Sequence, residues 1–274
     1  MEQITFLHLS DTHLSFETPC PAICSAPSLL ESAYRAAAGL DTPPQFVLIT
    51  GDVVHEGGAD DYAKARSLID RLDAAYGVRT YILLGNHDRH AAFYEGYLGE
   101  AGRTGRYYYS CMAGGLRLLA LDSAVDDQVP GHMDVAQLDW LEQQLSLKTD
   151  APTIVALHHP PCGTSVRQTN ANNLGEGARF ADILRRHPAA AVLAGHKHFV
   201  TATALPGGTP VYTGAGLAFG IELPCGGTLR FTKSGRMQYC TFYDGQLFYS
   251  PLDLGEAPTI AQLTPAQMRN YHGK

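Results

Sequence analysis

The chain of 274 residues carries 20 basic and 27 acidic side chains, a net charge of −7, with 45% hydrophobic and 17% charged residues. That is the composition of an ordinary globular protein, and no apolar run reaches the roughly 20 residues that a membrane span requires. Long nucleic acids are bound by basic faces through many phosphate contacts, so a chain whose longest Lys/Arg run is Arg185-Arg186 is not expected to take them as partners.

The N-terminal segment MEQITFLHLSD enters an apolar run directly, without a basic leader or a small-residue cleavage site, which predicts a protein that stays in the cytoplasm. That first run, ITFLHLS, ends at Asp11 and His13. A helix is expected over residues 27 to 39, opened by Pro27, closed by Gly39, and carrying Leu29, Leu30 and Ala33 on one face. FVLIT then leads to Gly51-Asp52, and residues 60 to 75 place Tyr62, Ala65, Leu68, Ile69 and Leu72 at helical spacing. YILL leads to Asn86 and His87, followed by a helix over residues 89 to 98. LRLLAL ends at Asp122, a helix over 134 to 145 turns Trp140 and Leu141 inward, and TIVAL ends at His158 and His159. Next come a long polar connection, residues 160 to 177, a helix over 178 to 186 stopped by Pro188, and the run AVLA, which ends at His196 and His198.

Beyond His198 the segments VTATAL, PVYTGAG, GTLRFTK, RMQYCTFY and QLFYSPLD read as strands of a mostly antiparallel sheet. Alternating strands and helices predict a layered α/β domain with helices on both faces, and the shared inventory at the strand ends makes residues 1 to 255 one domain. Residues 256 to 274 read as a tail with one helical turn after Thr264. The aromatic stretch at 239 to 249 offers an edge for a second copy of the chain, hence a homo-oligomer, or an internal sheet edge. The six cysteines, at 20, 24, 111, 162, 225 and 240, show no CxxC spacing and read as reduced, buried thiols.

One Asp or Gly-Asp after a strand is ordinarily a turn former. Here Asp-x-His, Gly-Asp, Gly-Asn-His-Asp, His-His-Pro-Pro and Gly-His-x-His all stand at strand ends, where open α/β sheets carry their ligand sites. Two carboxylates, one amide oxygen and four imidazoles, without thiolates, suit borderline metal ions, among which Fe, Mn, Zn, Co and Ni all qualify. Seven ligands are too many for one ion, and a shared carboxylate divides them into two open sites of the kind that clamp both oxygens of a phosphoryl displacement. A small anionic phosphoester is the substrate expected, because the ions themselves supply the positive charge.

The order Asp11-x-His13, Gly51-Asp52, Gly85-Asn86-His87-Asp88, His158 and Gly195-His196-x-His198 resembles the calcineurin-like metallophosphoesterase superfamily. GDVVHEGGADDY and GHMDVAQLDWLEQQL resemble its cyclic-nucleotide and glycerophosphodiester phosphodiesterase branch. The resemblance implies a two-sheet αββα sandwich in which Asp11, His13 and His198 hold one ion, Asn86, His158 and His196 hold the other, and Asp52 bridges them. It further implies a bridging hydroxide that attacks phosphorus, with His87 facing the substrate and Asp88 orienting an imidazole. His158, rather than His159, is the ligand that the pattern favours, since neighbours along a strand point to opposite faces. Arg89, Arg167, Asn170, Asn172 and Asn173 are the candidates for holding substrate oxygens, four of them in the 160 to 177 connection. Hydrolysis of a small phosphodiester is the activity implied; a phosphomonoesterase, an organophosphate or phosphonate ester hydrolase, and a non-catalytic binding module on the same fold are the alternatives. Where a polar side chain, often His, is expected after the sixth strand, this chain reads TGAGLAFGIEL, which predicts a more apolar pocket.

Overall fold

The computed structural model describes residues 3–225, 228–233 and 235–255, so the turn expected after Thr264 lies outside the described residues. The first strand, β1 (Ile4–Leu9), is buried along its whole length and is followed by α1 (Pro27–Ala38), β2 (Phe46–Thr50), α2 (Ala59–Tyr76) and β3 (Thr80–Leu83). A single helical turn, α3 (His90–Phe93), passes into a π-helical turn at Tyr94–Leu98. Then come β4 (Tyr109–Ala113), β5 (Leu116–Ala120), α4 (Val135–Ser146), β6 (Thr153–Ala156), α5 (Gly177–Arg186) and β7 (Ala191–Ala194). The chain closes with β8 (Thr201–Ala204), β9 (Pro210–Thr213), β10 (Gly220–Cys225), β11 (Thr228–Thr232), β12 (Arg236–Tyr243) and β13 (Gln246–Asp253).

Two large sheets face each other, in the orders β13-β12-β1-β2-β3 and β4-β5-β6-β7-β9-β8, and among the described residues β10 pairs only with β11. The β1-β2-β3 and β5-β6-β7-β9 ladders are parallel, which explains their continuous apolar runs: both faces of each strand are covered. Alternation along β1 shows the consequence. Phe6 points between the sheets, onto Phe46, Leu118 and Leu193, while Leu7 and Leu9 join Leu30, Leu68 and Ile69 of α1 and α2 on the outer face. On the other outer face, Leu138 and Leu141 of α4 and Phe180, Ile183 and Leu184 of α5 cover Leu119, Val155 and Val192. This is the expected αββα sandwich. The strands after His198 pair mostly antiparallel, as expected, and are shared between the two large sheets, leaving β13 as the edge of the first. β4 was not expected; it pairs antiparallel with β5 across the Gly114-Gly115 turn. Cys20, Cys24, Cys111, Cys162 and Cys240 are unpaired thiols, and no helix among the described residues is long and apolar enough to cross a membrane.

One ionic contact ties the two sheets together just beyond their strand ends. His90, after β3, sets Nε2 2.7 Å from Asp122 Oδ2, after β5, and Nδ1 2.5 Å from Asp126 Oδ1. Burial opposes a charge on this imidazole, but the hydrogen bonds and charges of Asp122 and Asp126 outweigh it and push His90 up to about 9. Since the folded value lies above the free value of 6.5, the stabilisation is complete below about 6.5 and is lost as pH rises through about 9. Asp126→Asn is therefore expected to cost up to ~1 kcal/mol at pH 6 and almost nothing at pH 10, because Asp126 is half-exposed and its pairing is partly screened. Urea unfolding at the two pH values checks this, and an equal cost at both would contradict it.

Candidate metal centre

Every metal-binding candidate leaves a strand within a few residues of its carboxyl end, so the sheet order sets the site: β1, β2 and β3 bring Asp11, His13, Asp52 and Asn86 against His158, His196 and His198 from β6 and β7. The backbone there is unusual. Asp11, His13, Asp52, His196 and His198 all adopt positive φ, between 39° and 70°. Non-glycine residues in that region cost roughly 1–3 kcal/mol each and persist where surrounding structure holds them. The holding contacts are visible: Asp11 N–H donates to Gly51 O, His13 N–H to Asp52 O, and His196 N–H to the Asp11 carboxylate at 3.0 Å. Two glycines allow the loops to close. A Cβ on Gly51, at φ 89°, would lie 2.5 Å from His158 Nδ1, and one on Gly85 would lie 2.3 Å from Asp52 Oδ1.

The polar atoms converge on two places that share Asp52. In the first, the ligand atoms of Asp11, His13, Asp52 and His198 all lie within 4.8 Å of one another, with His198 Nε2 3.3 Å from Asp11 Oδ1 and His13 Nε2 3.5 Å from Asp52 Oδ2. In the second, His158 Nε2 lies 3.4 Å from the same Asp52 oxygen and 3.1 Å from Asn86 Oδ1, and ring nitrogens of His158, His159 and His196 lie within 4.8 Å of one another. His158 Nδ1 donates to the Thr50 carbonyl at 2.8 Å and His198 Nδ1 to the Phe219 carbonyl at 3.1 Å. In the neutral rings, Nε2 therefore presents a lone pair toward oxygens that can only accept. His13 Nε2 is buried without a hydrogen-bond partner. Lone pairs facing lone pairs around a buried carboxylate are the arrangement that a cation resolves, so the donor set fits metal ions at both places.

The electrostatics agree. Burial opposes ionisation of Asp52, but His158, His13 and His87 outweigh it and hold its carboxyl well below the usual range. Burial likewise holds His13 and His196 well below the ordinary imidazole value, leaving them neutral and able to ligate. His158 is pushed up to about 9 by Asp52, which outweighs its burial; a cation in the same position would take over the role of that proton.

His159 shares that group of ring nitrogens, and its Nδ1 lies 2.8 Å from Ser123 Oγ and its Nε2 3.1 Å from the Val129 carbonyl, contacts that engage both nitrogens away from Asp52. Lys197, between His196 and His198, donates to the Thr169 carbonyl. The role expected for Asp88 needs correction. Its carboxylate accepts from the backbone N–H groups of Val53, Val54 and Gly85 and from Tyr62 Oη, not from an imidazole. It binds the Gly-Asp loop to the Gly-Asn-His-Asp loop. The 160 to 177 connection also differs from expectation. A 3-10 turn at Arg167–Asn172 orders it, Asn170 bonds Thr164 and Asn173 bonds Cys162, so two of the expected substrate-binding amides hold the loop together. Arg167 is exposed and Asn172 half-buried, while Arg89 stands at the mouth, 3.4 Å from Asp127. With Glu56, Asn86, His87, Asp88, Asp127, Gln128 and Val129 it lines a cavity of about 280 Å³.

His55 was missed by sequence reasoning. Its Nδ1 lies 3.0 Å from His13 Nδ1, and its ring stacks on His87 at 4.8 Å. Burial and the neighbouring His87 hold it below the ordinary value, so it is neutral and can accept the proton of His13 Nδ1, which aims His13 Nε2 at Asp52 and Asp11. Partners that orient a ligating histidine are worth about 10- to 100-fold in metal affinity. His55→Ala is expected to weaken metal binding by at least about 10-fold, measured by titrating metal-free protein, and unchanged affinity would contradict the assignment.

Comparison with known proteins gives the same picture. A family model for calcineurin-like phosphoesterases matches residues 4–200. A probable cyclic nucleotide phosphodiesterase of Rhodococcus erythropolis is 29% identical over 93% of this chain and 85% of its own length. A cAMP/cGMP dual specificity phosphodiesterase of Mycobacterium tuberculosis is 28% identical over 96% and 84%, and a glycerophosphodiester phosphodiesterase of Enterobacter lignolyticus is 33% identical over 60% of each chain. Among solved structures, a dimetal phosphatase from Danio rerio superposes with a TM-score of 0.67 at 16% identity, covering 92% of this chain and 98% of its own, a likeness of fold.

Proposed function

The chain belongs to the calcineurin-like phosphoesterase family and is a dinuclear metal-dependent phosphoester hydrolase, and from that premise we propose that it hydrolyses small phosphodiesters of the cyclic-nucleotide or glycerophosphodiester type. The observation that carries the proposal is the cluster of Asp11, His13, Asp52 and His198, with His158 Nε2 of the neighbouring histidine cluster 3.4 Å from the same Asp52 carboxylate and the polar cavity of His87 and Arg89 opening beside them. Asp11, His13 and His198 would hold one ion and Asn86, His158 and His196 the other, with Asp52 common to both. Two such ions supply charge neutralisation at phosphorus and a water acidic enough to attack it near neutral pH.

The remaining chemistry belongs to the chain. His87 donates its backbone N–H to Asp52 Oδ1 at 2.8 Å, which fixes the residue against the bridging position. Its Nδ1 lies 3.3 Å from Glu56 Oε1, so the carboxylate holds that side of the ring and leaves Nε2 to pass a proton to the departing oxygen. Arg89, at the rim, can release Asp127 to take a phosphate oxygen. The phosphodiesterase names of the relatives matched over most of this chain support the same substrate class.

The test is a kcat/KM panel on manganese-loaded protein with 3′,5′-cyclic AMP, glycerophosphoethanolamine and p-nitrophenyl phosphate. At least one diester is expected to exceed the monoester by more than about 10-fold. A monoester preference would overturn the proposal.

A further inference from the structure

We propose that Phe219 and Phe231 form an aromatic shelf on the His198 flank of the metal centre, and that this shelf selects phosphoesters carrying a planar group such as a nucleobase. The inference rests on the phosphoester reading above and deepens it.

The shelf is built from TGAGLAFGIEL, the segment in which a polar side chain was expected. After β9 this segment is pinned to the ligand loop of β1: Leu217 N–H donates to Ser10 O and Ala218 N–H to Asp11 O. Phe219 is then clamped to His198, whose Nδ1 donates to the Phe219 carbonyl and whose own carbonyl accepts from Ile221 N–H. These bonds set the Phe219 ring flat on His198, with centroids 3.8 Å apart and planes 18° from parallel, and 5.7 Å from His13. The β10-β11 register, which pairs Ile221 with Phe231, brings the second ring to 5.8 Å from Phe219.

Phe231 is 60% exposed and Phe219 half-buried, so the pair presents apolar ring surface to solvent beside buried histidines and carboxylates. A lone exposed Phe is ordinary. Here the backbone on both sides of Phe219 is fixed by ligand-bearing residues, which makes the placement a property of the site.

His13 adjoins two unlike neighbours. Its ring is 5.0 Å from His87, which lines the polar cavity, and 5.3 Å from His198, which carries the shelf. A phosphate held between them has hydrogen-bonding groups on one side and stacked aromatic rings on the other. A substituent on the aromatic side gains most if it is flat, because offset stacking needs two π faces, whereas a glycerol or choline group offers none.

The experiment measures binding and turnover on manganese-loaded wild type, Phe231→Leu and Phe231→Trp. By calorimetry, 5′-AMP is expected to bind wild type about 10-fold tighter than ribose 5-phosphate. Phe231→Leu should remove most of that difference, and Phe231→Trp should keep it. In turnover, the ratio of kcat/KM for 3′,5′-cyclic AMP to that for glycerophosphoethanolamine should fall about 10-fold in Phe231→Leu and recover in Phe231→Trp. Equal affinity of wild type for the two monophosphates, or a preference untouched by Phe231→Leu, would overturn the shelf even if both diesters are hydrolysed. An adenine preference that depends on Phe231, without hydrolysis of either diester, would uphold the shelf and overturn the phosphodiesterase reading.

Discussion

Asp52→Asn is expected to lower turnover of any phosphodiester substrate by at least ~10³-fold while leaving the metal-free protein folded. The carboxylate is the point at which both ligand clusters meet: one oxygen lies 3.5 Å from His13 Nε2 and 3.4 Å from His158 Nε2, and the other accepts the His87 N–H. An amide of the same shape keeps that last hydrogen bond. It removes the negative charge that two adjacent cations require, and it can offer lone pairs from only one of its two atoms. His87→Ala should behave differently. It deletes a proton donor and no ligand, so metal content should survive while turnover falls by about 10²- to 10⁴-fold. Metal analysis beside steady-state kinetics separates the two variants, and metal loss in His87→Ala would overturn the division of roles.

Asp88→Ala is expected to be strongly destabilising, at roughly 3–5 kcal/mol from the buried donors it strands. Asp88 is fully buried, and its two oxygens accept from Val53, Val54, Gly85 and Tyr62. Alanine would strand those donors in a dry interior, at about 1–3 kcal/mol for each that water cannot reach. Burial and the nearby Asp52 push the Asp88 carboxyl up to about 6, so its donors work against an unfavourable environment. The partial replacement Asp88→Asn keeps one good acceptor and should cost about half as much. Chemical denaturation gives both numbers; a cost below ~1 kcal/mol for alanine would show that the loops are held by other contacts.

These expectations draw on features that were unequally visible in the sequence. The parallel strands were legible because burial on both faces writes them as uninterrupted apolar runs, as in FVLIT and AVLA, and the candidate ligands were legible because they stand where those runs stop. β4 was not, because its first four residues alternate between partly buried and exposed, and it opens on the last of three consecutive tyrosines. The Gly114-Gly115 turn ahead of LRLLA was the available signal. Left-handed backbone at His13, His196 and His198 is not legible in composition, since histidine, though enriched among non-glycine residues at positive φ, is found there only in a small minority of cases and tertiary hydrogen bonds decide it. The roles of Asp88 and His55 were hidden for the same reason. Asp88 reaches residues more than 25 positions away, and His55 meets His13 from another strand's loop. The amides of the 160 to 177 connection looked available because residue type gives donors but not their partners, and the fold engages Asn170 and Asn173 locally.

The most direct test of the central claim is a manganese titration of metal-free protein followed by electron paramagnetic resonance. Two ions sharing the Asp52 carboxylate should bind to a limit of two per chain and give the spectrum of an exchange-coupled pair, and Asp52→Asn should abolish the coupling. A limit of one ion per chain, or two ions with independent spectra, would contradict it.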